Sequence, residues 1–438
     1  MPSSRRAAIV VVSLVLAAPA RAGTDDRGWR PEEPLGDPPA SRISASSVYD
    51  PTHDRLVLWG GYAYGEAQRG SWLLSLHGRP KWAEIDPAGE PPPGSWDHSA
   101  VYDSRRDRVL IFGGVGAAGD STRDETGVWS LDLATASWES LTVAGPEPPP
   151  RDSHSAIYVS STDEMVLFGG GGDGGLLDDA WALSLGDVPE WRPIQASGTP
   201  PSPRARHTAI YDPIGNRMVI FGGASYFGEM TNDVWALTLG PSPAWTQLQT
   251  SGTPPSPRAG HRAVYDPVRH SMLVFGGYRG GDEPYGSDLW ELTLTAAPEW
   301  RRIAALGPTP GGRFAPDLVF DGRKQRLVLC GGAERAAGLD VWSFGSLVHG
   351  ADEPATFSIG PNPFKAAGRS LTFFVPAGGA VTFEVMDIAG RRLWKREIGP
   401  VEAGWHSTGF DAALTPGLYW IRATQDGRTS SARLTVVR

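Results

Sequence analysis

Cysteine is almost missing from this 438-residue chain: Cys330 stands alone, so no intramolecular disulfide can form and packing must hold the fold. Long apolar runs are missing too. The best one, Ala7 to Ala18, follows Arg5 and Arg6 and precedes Ala20-Arg21-Ala22. It is shorter than the ~20 residues a membrane span needs and has the layout of a secretory signal peptide over residues 1–22, with Gly23 the expected first mature residue. No later segment is a transmembrane candidate. Positive charge is outnumbered, 40 Lys/Arg against 49 Asp/Glu, and the net charge of −9 argues against the general electrostatic footprint of a nucleic-acid binder. There is no Cys/His cluster at zinc spacing, H-E-x-x-H, P-loop or EF-hand loop, so neither a metal nor a cofactor is expected.

Glycine (55 residues) and proline (39) are abundant instead. Scattered between short apolar runs, they mark many turns joining strands. The runs repeat. "RHTAIYDPIGNRMVIFGGAS" from Arg206 to Ser225 returns as "GHRAVYDPVRHSMLVFGGYR" from Gly260 to Arg279. Double glycines follow an apolar strand at Gly60, Gly113, Gly169, Gly222, Gly276 and Gly331, in steps of 53, 56, 53, 54 and 55 residues.

Each unit has four extended pieces. The first, like "HTAIYDP", ends in a tight turn; the second, like "RMVIFGG", is apolar at almost every position and hence buried on both faces. The third carries Trp72, Trp129, Trp181, Trp235, Trp290 or Trp342, and the fourth Trp82, Trp138, Trp191, Trp245 or Trp300. The sixth unit has no fourth piece of its own. "GWRPEEPLGDPPASR" has an arginine 13 residues after Trp29, the step that also separates Trp138 from Arg151, Trp191 from Arg204, Trp245 from Arg258 and Trp300 from Arg313. The N-terminal segment is therefore expected to supply the outer strand of the last unit and close a ring. A unit of this kind cannot bury its own faces, so near-identical units bury one another.

This pattern resembles the kelch-repeat family of β-propellers, including the propeller domain of galactose oxidase. The resemblance runs from about Trp29 to Phe344 and implies an all-β, six-bladed propeller over residues 23–345. Propellers host unrelated activities, so it implies little about function.

The period stops near residue 355, after a linker at 346–355. Residues 355–438 hold ten Lys/Arg against six Asp/Glu and about seven strand-like runs, among them "SLTFFVP", "AVTFEVMD" and "GLYWIRAT", which suggest a small β-sandwich over 356–438. "GPNPF" (Gly360 to Phe364), "VMDIAGRR" (Val385 to Arg392), "AGWHSTGFD" (Ala403 to Asp411) and "PGLYWIRA" (Pro416 to Ala423) resemble the C-terminal sorting domain of type IX secretion cargo and the related flagellar-hook-capping immunoglobulin-like domain. The resemblance implies passage across an outer membrane, engagement of secretion machinery, and a secreted or cell-surface address. The W-D-G-x-D-x-x-G stretch usual in that family is shortened here to "FDAALTPG".

Antiparallel strands put the loop after the double glycine and the linker into the next unit on one face. The loops there carry Tyr62, Tyr64, Tyr226, Phe227, Tyr278 and Tyr285, which suit sugar stacking or protein contacts on a rigid scaffold; Arg204 and Arg258 start two of the inner pieces. These eight residues are the candidate ligand-binding face for a glycan or protein. Arg42, Arg151, Arg204, Arg258 and Arg313 recur with the repeat, as do His98, His154, His207 and His261, and Asp179, Asp233, Asp288 and Asp340. Recurrence at the period is what scaffold residues show, so the histidines read as structural and the aspartates as turn-fixing groups or arginine partners before they read as metal ligands. Cys330 occupies the slot of Phe112, Phe168, Phe221, Phe275 and Trp59 and reads as an apolar substitute; the copper-radical chemistry of galactose oxidase needs a cysteine crosslinked to tyrosine. No nucleophile–base or carboxylate pair stands apart from the repeat, so no catalytic residue is named. The reading is a binding module delivered to the cell surface, with a carbohydrate-active enzyme (sugar oxidase, lyase or epimerase) on the same propeller as the alternative.

Overall fold

A computed structural model describes residues 9–11, 14–15, 28–116, 127–225, 228–305, 308–332, 339–345, 356–357, 359–360, 370–375, 379–387, 390–401, 404–409, 417–425 and 428–436. Among these residues the chain is all-β, with no helix. It divides into two compact units, one of residues 25–266 and 270–347, the other of 348–438 with 1–24 and 267–269.

The larger unit holds six antiparallel sheets with four core strands each. The first sheet is Ser46–Asp50, Arg55–Trp59, Ser71–Ser75 and Lys81–Ile85. The second to fifth sheets begin at Ser99–Asp103, Ser155–Val159, Thr208–Asp212 and Arg262–Asp266. In the sixth, Asp317–Asp321, Arg326–Cys330 and Val341–Phe344 are completed by Trp29–Glu32, in register Trp29 with Phe344 through Glu32 with Val341. The first strands of successive sheets pack against one another in a closed cycle, sixth against first included. They enclose a central channel cavity of about 140 Å³.

Local chemistry dictates the strands. First strands of the first four sheets alternate buried and half-buried residues; second strands such as Arg55–Trp59 and Arg108–Phe112 are buried from their second residue on. They are sandwiched between neighbouring sheets, where only apolar side chains pack without unpaired groups. The turn between the first two strands is built by one aspartate. Asp50 Oδ1 accepts the N–H groups of Thr52 and His53 while its Oδ2 takes Arg55 Nε at 2.8 Å, and Asp212 repeats the pattern with Ile214, Gly215 and Arg217. Four residues after these aspartates, Asp54 (φ 50°) and Asn216 (φ 44°) take the left-handed conformation that short polar side chains tolerate.

The sheets are glued by rings. Trp138, Trp191, Trp245 and Trp300 each lie 4.8–5.9 Å, centroid to centroid, from the aromatic ring that ends the second strand of the preceding sheet: Trp59, Phe112, Phe168 and Phe221. Trp29 packs in the same way on Phe275 of the fifth sheet. Cys330 fills this slot in the sixth sheet, fully buried in one cluster with Trp82. Burial raises its thiol pKa well above the usual range, as befits a packing residue.

Among the described residues the smaller unit has two larger sheets and a two-stranded pairing of Leu14–Val15 with Thr356–Phe357. One orders Arg392–Val401, Gly379–Asp387, Gly417–Gln425 and Arg428–Val436 side by side, and Ile9–Val11 pairs with the last of these. The other joins Ile359–Gly360, Ser370–Val375 and Gly404–Gly409. Val381, Phe383, Val385 and Ala423 are buried in the first sheet, while Leu393 and Trp420 are exposed.

Candidate ligand-binding face at the channel mouth

Four of the recurrent arginines start the site by fixing its floor. Arg151, Arg204, Arg258 and Arg313 each donate to the carbonyl of the first glycine of a pair, 18 residues on, and grip one aspartate with two nitrogens: Asp179, Asp233, Asp288 and Asp340. The indole N–H two residues later donates to the same carboxylate, as from Trp290 to Asp288 at 2.6 Å. Burial raises the Asp288 pKa, but Arg258 overrides it and holds the group at about 2. Arg204 and Arg258 are 1% and 0% exposed. This corrects the expectation that they face a ligand: every strong donor direction is spent inside their own sheet, and leaving a buried partner unpaired would cost several kcal/mol.

The histidines lie next in the same linkers and stitch the sheets together. Ser99 Oγ lies 2.7 Å from His154 Nε2, Ser155 Oγ 2.8 Å from His207 Nε2, and Thr208 Oγ1 2.8 Å from His261 Nε2. Burial drives all four imidazole pKa values down, those of His98 and His207 to about 3, so the rings are neutral. They explain the double glycine. A Cβ on Gly113 (φ 70°) would lie 2.8 Å from His154 Cε1 of the next sheet, and one on Gly114 (φ 97°) 2.8 Å from His98 Cβ of its own; both the conformation and the space demand glycine.

Between each arginine slot and its histidine slot stand two residues that do not repeat. They are Ile43-Ser44, Trp96-Asp97, Asp152-Ser153, Ala205-Arg206, Ala259-Gly260 and Phe314-Ala315. The second of each pair has positive φ, 45–63°. The N–H groups of Asp97, Ser153, Arg206, Gly260 and Ala315 each donate to the carbonyl of the equivalent residue one sheet back, over 2.7–3.1 Å. An arc of five backbone bonds thus rims the channel on the face of the double-glycine loops, and the unlike side chains stand around it.

These side chains form one mixed group. Trp96 stacks at a tilt on Tyr62, centroids 5.0 Å apart. The Arg206 guanidinium lies 5.4 Å from the Phe314 ring centroid and 3.7 Å from Asp97. Burial, then the nearby Asp97 charge, raises the Asp152 pKa, while Ser153 and Arg206 oppose the shift. Two neighbouring carboxylates, one cation and several aromatic faces can take a polar side chain and its apolar stem together.

The loop tyrosines fall into place around this rim. Tyr62 (36% exposed) and Tyr278 (42%) bridge to the linker residues Ile43 and Ala259, Tyr285 packs edge-on to Tyr278 at 5.9 Å, and Tyr64 projects furthest at 85%. Tyr226 and Phe227 lie outside the described residues. Trp96, Asp97, Asp152, Arg206 and Phe314 escape a search for repeated residues; the signal that finds them is failure to repeat inside a repeated word. Among the described residues one group, Asp50, His53 and Asp107, has the donor atoms for a metal ion. It belongs to the turns at the opposite ends of the first strands, and Asp50 is already engaged by Arg55 and His53.

Comparison with known proteins agrees with this architecture. The kelch-repeats domain described for KLHDC2, KLHL20 and DRC7 matches residues 54–188 and 187–349. The putative adagio-like protein 2 of Oryza sativa subsp. japonica is 31% identical over 296 residues, 64% of this chain and 45% of that protein. Host cell factor homolog hcf-1 of Caenorhabditis elegans is 30% identical over 45% of this chain and 26% of its own length. The Rab9 effector protein with kelch motifs of Bos taurus is 31% identical over 45% of this chain and 53% of its own. The chain thus spans about half, or less, of the length of these relatives. The solved structure of YjhT is similar in fold, with a TM-score of 0.53 at 15% identity over 76% of this chain and 98% of that one. With two family matches that together take in most of the chain, this protein belongs to the kelch-repeat family and contains a kelch β-propeller.

Proposed function

We propose that the chain is a six-bladed kelch propeller that binds a protein partner at the mouth of its channel, and that it is exported and held at the cell surface through its C-terminal unit. The observation that carries the binding role is the aperiodic group Tyr62, Trp96, Asp97, Asp152, Arg206 and Phe314 on an otherwise periodic scaffold. Interfaces use aromatic and arginine anchors of this kind. One relative is named as an effector of Rab9, which fits a propeller that works by holding another protein. Export rests on the basic and apolar residues 5–22, and attachment on the resemblance carried by Gly360 to Ala423; among the described residues no helix is long and apolar enough to cross a membrane.

The test is capture of surface proteins by the full chain beside the Trp96→Ala/Arg206→Ala variant, followed by binding measurements with each purified protein. Partners lost in the variant support the reading. An identical set captured by both sinks it. For the export role, removal of 355–438 should leave the propeller in the periplasm, and normal export of the truncated chain would refute it.

The coupled carboxylates Asp97 and Asp152 favour one second reading, a carbohydrate-active enzyme at the same mouth. One acid weakened by burial, with a second carboxylate nearby, is the arrangement acid–base pairs use. Incubation with a glycan panel, with analysis for altered sugar, separates the two: product means catalysis, and a thermal shift without product means a glycan-binding face.

A further inference from the structure

Below the rim the channel is built in two unlike halves. Two adjacent positions of each first strand line it, and in four sheets the first of the two holds a hydroxyl: Ser46, Ser99, Ser155 and Thr208. Ser99, Ser155 and Thr208 spend theirs on the next sheet's imidazole, and Ser46 donates to the His98 carbonyl at 2.8 Å. The hydroxyls of that half are thus engaged within it, while His98 Nε2 and the Nδ1 atoms of His154, His207 and His261 are buried without a partner among the described residues. In the fifth and sixth sheets the same slot holds Arg262 and Asp317, and the imidazole positions of the sixth and first sheets are Pro316 and Ala45.

Arg262 spans the gap this leaves. Its Nε donates to the Pro316 carbonyl and its Nη2 to the Ala45 carbonyl, both at 2.9 Å, which fixes the plane of the guanidinium. Nη1 has no partner among the described residues. Asp317 is 2% exposed, and its buried Oδ1 also lacks a partner among them. Burial raises the Asp317 pKa to about 6 against the opposing pull of Arg262, Ser47 and Arg42. An unpaired buried carboxylate oxygen is destabilising, and such groups call for a partner.

We infer that Arg262 and Asp317 form a binding site inside the channel for a small neutral polyol. The ligand must donate to Asp317 Oδ1 and accept from Arg262 Nη1, and one hydroxyl, or two on adjacent carbons, does both. A cation would meet Arg262 and an anion Asp317, whereas a neutral molecule leaves the pair balanced. The cavity of about 140 Å³ has the room of roughly four or five waters at ~30 Å³ each, the size of a three- or four-carbon polyol. A hydroxylated end of a larger sugar has the same chemistry and is the other source. This site goes beyond the mouth reading and stands or falls separately from it.

Ligand-observed NMR titration of the full chain with glycerol, erythritol and a methyl glycoside tests it, using wild type, Asp317→Asn and Arg262→Lys, each checked for a cooperative thermal melt. Saturable binding of glycerol or erythritol that weakens tenfold or more in both variants is the expected result. If only the glycoside binds and both variants lose it, the site reads a sugar end and the small-polyol assignment fails. No saturable binding, which leaves water as the channel's occupant, overturns the proposal, and so does binding unchanged in Asp317→Asn. Where Asp317→Asn does not melt cooperatively, Arg262→Lys alone decides by the same criterion. Wild-type affinity should also fall as pH drops through about 6, because a carboxylate accepts the ligand's proton better than a carboxylic acid does.

Discussion

Arg204 and Arg206 stand two residues apart in one linker and meet opposite fates. Arg204 is buried, bound through both terminal nitrogens to Asp233 and to the Gly222 carbonyl. Arg206 is half exposed, leaning over Phe314 toward Asp97. The ladder to which Arg204 belongs repeats from sheet to sheet and binds nothing but its own scaffold. The rim to which Arg206 belongs differs in every sheet and has side chains left over for a ligand. In a molecule made of repeats, recurrence marks the parts that hold the ring together, and departure from recurrence marks the parts free to do something else.

Four measurements test that division. Arg258→Leu should cost about 3–5 kcal/mol in denaturant unfolding, since it strands the buried Asp288; Arg258→Leu/Asp288→Leu should recover much of the loss, and Arg206→Leu should cost under about 1 kcal/mol. Equal costs at 206 and 258 would erase the distinction. Trp29→Ala should cost a similar ~3–5 kcal/mol, because Trp29 is 1% exposed between Phe275 and Phe344; a negligible loss would mean the sixth sheet closes without it.

The pH dependence comes next. His98 and His207 have folded pKa values of about 3, below the unfolded value of about 6.5. The unfolded chain therefore takes up more protons as pH falls from 6.5, and stability drops progressively down to about pH 3. Asp288 adds a further loss below 3.8, as pH approaches 2. Asp317 runs the other way, its raised pKa adding stability as pH falls from about 6 toward 3.8. Melting temperatures from pH 7.5 to 4 should decline, and His207→Gln should flatten the slope; an unchanged slope would refute the neutral imidazole stitch. The smallest effect belongs to Tyr64→Ser at the exposed tip, which should stay within about ±0.5 kcal/mol.

Much of the scaffold was legible because its chemistry is local or strictly repeated. The double glycines, the turn aspartates and the recurrent tryptophans could be read one unit at a time, and Cys330 explained itself by the slot it fills. The 13-residue step from Trp29 to Arg42 singled out the strand that lies against Val341–Phe344. The rim was less legible. The loop tyrosines stand out in the sequence because they are aromatic, while Trp96, Asp97, Asp152, Arg206 and Phe314 are hidden inside the repeated words "SWDH", "RDSH", "RARH" and "RFAP". Arg204 and Arg258 carry in their periodicity the sign of the buried role that the structure gives them.

By itself the sequence determined that this is a ring of like sheets, because period, glycine pairs and apolar second strands depend only on neighbours along the chain and on the next copy. Only the tertiary structure decided which residues share the channel. Arg262 and Asp317 are 55 positions apart, and Tyr62 meets Trp96 across two sheets; closing the ring brings them together, and no local pattern encodes that meeting.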